Sequence, residues 1–487
     1  MRRGVLIALA GTLVAMTACT SSASDGHPRS TIAAQSSAGP PTAAAEQRYG
    51  KAPHRAAGLT YQPDVVLVGG GASSVRSVSA DSLTWTIDAQ APHADQLAVG
   101  KVMFLTSRGV GRVVQLVPAG DTLAVTIGPV QLGEIVRDGV LKADGPLDLN
   151  AASVQTFPGV GGLTTVPART SASPSSSTTH NWAALRSEPE LPPPTKGLGA
   201  ELSVGGFSVE LAGSQKATNA GSIDLKVGYN HGGVVLGLTF AIEYEDAHVS
   251  SEIHVVGGEL AEGSRTEVTG ITGAKVDVSG GSELGLKGNK KARIEVPAEQ
   301  NFEIPSEPVP FVLSVRLKFI VETAFSARNA TLTSTGRLAI DGPLGFVKTA
   351  GKLSLEQPSV SIKQNPVETI AGVSQGVNGL VFAAQMKIQM GVGIEVAEAG
   401  PFVAFTASVG LTNGSSIGIV QCKQATVDAI LAGGIGLTID PGESEWLKKS
   451  LGALTKLLPK LDVELGNVSV SVVHRSDYRP RVAVCHI

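Results

Sequence analysis

The chain has 487 residues, enough for several domains and a sizeable core. Lys and Arg total 39 against 42 Asp and Glu, and this formal charge of -3 lacks the basic footprint of a nucleic-acid binder, so no nucleic-acid partner is expected. Three cysteines exclude a disulfide-dense scaffold and a Cys-rich zinc module, and no cofactor or metal centre is expected.

The chain opens on Arg2 and Arg3, followed by an apolar run from Gly4 to Met16. That run is shorter than the roughly 20 residues of a membrane-spanning helix, so residues 1–18 read as a signal peptide. Met16-Thr17-Ala18-Cys19 resembles the lipobox of bacterial lipoproteins, with Met16 where Leu or Val is commoner. The resemblance implies a chain cleaved before Cys19, acylated there with palmitate-type chains and held on the extracytoplasmic face of the cell membrane. Each buried methylene of such an anchor contributes about 0.8 kcal/mol. The membrane, reached through this anchor, is the first partner the sequence indicates.

Residues 19–58, rich in Ser, Ala, Thr, Pro and Gly, read as a disordered tether. Residues 59–150 predict a small β-domain. Val75 and Val78, then Leu83, Trp85 and Ile87, alternate with polar or small residues. Val110 to Val117 and Leu123 to Val130 flank the turn signal Pro118-Ala119-Gly120-Asp121, and Gln131 to Asp138 predict one helical turn. The stretch is similar in pattern to small β-modules of bacterial surface proteins, a likeness that carries no catalytic residues. Residues 151–197 form a Ser/Pro-rich linker ending in Pro192-Pro193-Pro194.

Residues 198–487 predict a large antiparallel β-domain with long strands, as a curled sheet, barrel or sandwich. Ile223, Leu225, Val227 and Tyr229 precede Asn230-His231-Gly232-Gly233, and Val234 to Tyr244 alternate after it, a hairpin. Alternation continues from Phe311 to Phe325 and from Leu380 to Val396, where Phe382, Met386 and Met390 share a face. One segment breaks the rule. Asp440-Pro441-Gly442-Glu443 is a helix start, and Leu447, Leu451, Leu454 and Leu458 form one stripe of an amphipathic helix over about 441–458.

Several motifs compete for a role. Val65 to Gly71 begins like a dinucleotide-binding turn but is followed by β residues. Gly372-Val373-Ser374-Gln375-Gly376 matches the nucleophile elbow of α/β-hydrolases, with His231-Gly232-Gly233 upstream and His474 or His486 as a downstream base. The elbow needs a helix after the serine, whereas a strand is expected here. Glu243, Glu245, Asp246, His248 and His254 cluster without a recognised ligand spacing. Cys422 and Cys485 remain once Cys19 is acylated, and an exported chain is expected to join them in a disulfide.

The sequence therefore predicts a mainly β, membrane-anchored lipoprotein acting as a non-catalytic binding or carrier module. An amphipathic or lipid ligand is expected against Phe382, Met386 and Met390, beneath Leu447, Leu451, Leu454 and Leu458. The large domain is similar in architecture to tubular lipid-binding folds, an analogy of shape alone. The alternatives are a structural or adhesin-like envelope protein and, least favoured, a serine hydrolase using Ser374.

Overall fold

Long alternating segments make long antiparallel strands, because each buries one face and offers neighbours an unbroken ladder of backbone groups. The computed structural model describes residues 41–147, 153–156, 195–439 and 468–485, with breaks of one to six residues inside these spans. Val234–Val256 alone runs 23 residues, about 75 Å at the usual rise per residue. The architecture is mainly β, and the three α-helices among the described residues are each seven residues or shorter.

Two large sheets stack. The first carries Gly199–Val204, Phe207–Ala217, Ala220–His231, Val234–Val256, Arg265–Ser282, Ala330–Asp341 and Ser359–Gln364 in spatial order. The second runs Thr195–Lys196, Ser153–Thr156, Lys291–Phe302, Val312–Phe325, Val377–Ile394, Ala397–Gly414, Cys422–Ile439 and Val468–Arg479. Among the described residues neither sheet closes on itself, so the large β-domain is a two-layer sandwich rather than a barrel. Its core joins the layers: Phe240 of the first sheet lies 6.5 Å from Phe382 of the second, and Phe207 lies 6.3 Å from Phe319. The expected hairpin is present, with His231 paired to Val234 across Gly232 and Gly233. Both glycines have positive φ, +61° and +70°, the type I′ geometry that side chains resist.

The spine strand, Val234–Val256, changes partner half-way. Up to Glu245 it pairs with Ala220–His231; from His248 to Val255 it pairs with Val136–Pro146 instead. Between them Glu245, Asp246 and Ala247 bulge out opposite Gly270. A Cβ on Gly270 would come within 2.5 Å of the Glu245 carbonyl, so the bulge requires glycine there. A strand within residues 59–150 is thus also a strand of the large sheet.

Thr60–Tyr61 pairs with Val136–Pro146 in the same large sheet, and six other N-terminal strands form a sheet ordered Val65–Leu67, Val102–Thr106, Gly109–Ala119, Thr122–Gly128, Thr84–Asp88 and Val75–Val78. Ala119 pairs with Thr122 at the expected turn, and Leu132–Ile135 is the expected helical turn. Val102–Thr106 is buried along its whole length because its two faces serve two cores. Val102 and Phe104 join the sandwich core, whereas Met103 and Leu105 join a separate core around Trp85, Ile87 and Val125. Beside Phe104, burial pushes the Tyr61 phenol up to about 12, against a smaller opposing pull from Arg55.

The outer face of the second sheet departs from simple alternation. Gln389, on the face opposite Met386 and Met390, is fully buried and donates to the Glu398 carbonyl at 2.8 Å. The Glu398 carboxylate accepts from Ser314 Oγ at 2.7 Å and lies 3.4 Å from Arg316. Glu398 Oε2 thus meets both Ser314 and Arg316, while Glu398 Oε1 and Arg316 Nη1 are buried without a hydrogen-bond partner.

Candidate functional site

At one end of the sandwich the two layers part around a cavity of about 200 Å³. Ile253, Val255 and Leu353 line it from the first sheet, Ile435 and Gly436 from the second, and Leu132 from the helical turn. Ile253 and Val255 are the last core-facing positions of the spine strand, so the cavity is the sandwich core left open at its end.

Each wall is fixed by local chemistry. The Gln131 N–H donates to Glu134 Oε2 at 2.8 Å, which anchors the first turn of the helix that carries Leu132. Glu134 also holds Arg112 at 2.8 Å, and Asp64 holds it at 2.9 Å. Burial opposes the Arg112 charge, but these two hydrogen bonds outweigh it and raise the guanidinium above its usual range. On the rim, Lys348 Nζ donates to the Leu260 carbonyl at 2.6 Å, beside the exposed Glu259. Gly133 and Gly258 pack backbone to backbone: a Cβ on Gly133 would fall 1.9 Å from the Gly258 oxygen. Gln62 Nε2 closes that corner on the Gly133 carbonyl at 2.7 Å. The result is an apolar pocket with a charged mouth.

The residues singled out in the sequence lie elsewhere. Phe382, Met386 and Met390 are buried, at 1–2% exposure, in the filled part of the sandwich core, and this cavity's wall contains none of them. Cys19, Leu447, Leu451, Leu454, Leu458, Ser374 and His486 lie outside the described residues. Cys422 and Cys485 are joined in a disulfide with Cα atoms 5.3 Å apart, which ties the C-terminal segment to the start of Cys422–Ile439.

The competing motifs find structural partners. After Val65–Leu67 the chain makes one four-residue 3₁₀ turn, Gly71–Ser74, and returns to a strand. Strand Val377–Ile394 follows Gly376 directly, where the hydrolase elbow needs a helix. His474 Nδ1 pairs with its cross-strand neighbour Asp428 on an exposed face, and His231 occupies the hairpin end. Glu243 pairs with Arg337 at 2.7 Å, His248 with Asp144 at 3.1 Å and His254 with Glu252 at 3.3 Å. Among the described residues no group of three His, Cys, Asp or Glu side chains is placed to hold a metal ion.

Residues 188–465, more than half of the chain, match the family described as Domain of unknown function (DUF8402). The chain belongs to that family. Residues 45–138 match a second family, Domain of unknown function (DUF8403). No curated protein and no solved structure matches the chain. In this DUF8402 chain the pocket wall was hidden from sequence reading because it is assembled from five separate segments. The DUF8403 match supplies Gln131, Leu132 and Gly133, and the remaining wall comes from within the DUF8402 match. The one local signal was the pair Ile253 and Val255 at the end of an alternating run.

Proposed function

We propose that the protein is a non-catalytic binding or carrier module of the cell envelope, held to the membrane through acylated Cys19. It receives the apolar end of an amphipathic ligand in the pocket between the parted sheets. The observation that carries this reading is the pocket's lining: Leu132, Ile253, Val255, Leu353 and Ile435 around the cavity, with Lys348 and Glu259 at its mouth. A volume of about 200 Å³ lies below the usual range for whole drug-sized ligands, which suits insertion of one chain end.

Native mass spectrometry of the chain without residues 1–18, together with uptake of a fluorescent fatty acid, tests the reading. Leu353→Trp should fill the pocket and abolish uptake while the melting temperature holds. No co-purifying lipid-sized mass and no uptake would sink it.

A further inference from the structure

A second cleft, of about 290 Å³, lies where the N-terminal segment meets the sandwich. Its walls come from Glu46 to His54, from Ser107 and Arg108, and from Asn301 to Val312. Gly50, at φ +86°, lets the first wall close on the second: a Cβ there would fall 2.5 Å from Ser107 Oγ. Ser107 then fastens three segments. Its N–H donates to the Lys51 carbonyl at 2.8 Å, and its own carbonyl accepts from the Gly393 N–H at 3.0 Å. On the far side Ser306 Oγ accepts from the Phe311 N–H at 2.8 Å and braces the loop that carries Pro310 and Phe311. The cleft is therefore built, not a gap between loose loops.

Its unusual member is Asn301. The side chain is 4% exposed, and neither Oδ1 nor Nδ2 has a hydrogen-bond partner. A buried carboxamide gives up its water on folding and is normally repaid by protein partners, so an orphaned donor and acceptor on a residue of the cleft wall stand out. The neighbours narrow the chemistry. Lys51 and Arg108 are balanced by Glu46 and Glu307, which favours a neutral ligand over an ion, and Phe302, Ile304 and Phe311 supply apolar walls.

We propose that this cleft binds an amide. The Asn301 carboxamide presents an acceptor beside a donor. Its complement is an edge with N–H beside C=O: a primary carboxamide, or the N–H and C=O of a single extended peptide residue. Asn301 Oδ1 accepts from that N–H, and Nδ2 donates to that C=O. This site is distinct from the apolar pocket, and its test is independent of fatty-acid uptake.

Saturation-transfer NMR on the chain without residues 1–18 compares three probes. Hexanamide carries the primary amide, N-acetylleucine methylamide carries the peptide edge, and methyl hexanoate lacks the N–H. At least one amide should bind, with the ester at least tenfold weaker; which amide binds distinguishes a small carboxamide from a peptide. Asn301→Leu should abolish amide binding and raise the melting temperature, and Asn301→Asp should weaken binding at least tenfold if the leucine variant does not fold. Equal binding of amide and ester, no amide binding because only an ordered water meets Asn301, or unchanged binding in both variants would overturn the proposal.

Discussion

Val102–Thr106 and Val377–Ile394 solve burial in opposite ways. The long strand turns Leu380, Phe382, Ala384, Met386, Ile388, Met390 and Val392 to one core, so its sequence alternates. The short strand, Val-Met-Phe-Leu-Thr, alternates between two cores and so reads as an unbroken apolar run. An alternating strand shows which side is inside; a strand shared by two cores tells only that both are. The N-terminal sheet is thus coupled to the sandwich through Val102, Phe104 and Val110, while keeping a core of its own around Trp85.

Substituting the two sides of that arrangement gives the largest expected effects. Trp85→Ala and Phe104→Ala should each cost about 3–5 kcal/mol. Hydrogen exchange should separate them. Loss of Trp85 should loosen Thr84–Asp88 and Thr122–Gly128 while Val377–Ile394 stays protected; loss of Phe104 should loosen both regions. Identical exchange maps for the two variants would show a single core.

The same contrast explains what the sequence revealed. The hairpin at His231-Gly232-Gly233, the turn at Gly120 and the one-sided faces of Phe311 to Phe325 and Leu380 to Val392 were legible, because period and turn chemistry are local. The double role of Val102–Thr106 was not, since it depends on what packs from each side. Nor was the burial of Gln389, whose partner Glu398 sits across a strand turn, or the orphaned amide of Asn301, which only the surrounding chain defines. Both clefts escaped for one reason: their walls are brought together by folding from segments far apart in the sequence.

A smaller effect is expected at the far edge of the second sheet. The Cys422–Cys485 bond closes a loop of 63 positions, for which chain entropy gives about 4 kcal/mol as an upper expectation. Replacing both cysteines by serine should lower the unfolding midpoint and speed exchange in Val468–Arg479, leaving the N-terminal sheet unchanged. Equal loss of protection in both regions would show that this edge is not a separate element.

The smallest effect concerns the seam between Val136–Pro146 and the spine strand. The Gly257 N–H and Arg137 hold Asp138 below the usual carboxylate range, His248 does the same for Asp144, and Lys142 with His254 does so for Glu252. A depressed carboxylate stabilises the fold above its unfolded value, near 4, and that contribution is lost as pH falls through the folded value. All three groups are solvent-exposed, so the loss is slight and screened by salt. Between pH 6 and pH 3, amides of 139–145 should lose protection before those of Val377–Ile394, and equal loss in both would remove the seam's special status.

The partner change at Asp246 has a consequence for dissecting the molecule. The two family matches are separated by residues 139–187: one ends inside the seam strand, at residue 138, and the other begins beyond it, at 188. A chain divided between them strips Val136–Pro146 from the spine and leaves His248 to Val255 with open hydrogen-bonding groups. Such a bare edge is a template for another chain. The isolated DUF8402 segment should therefore self-associate edge to edge, and its solubility should return when residues 136–146 are supplied in trans as a peptide.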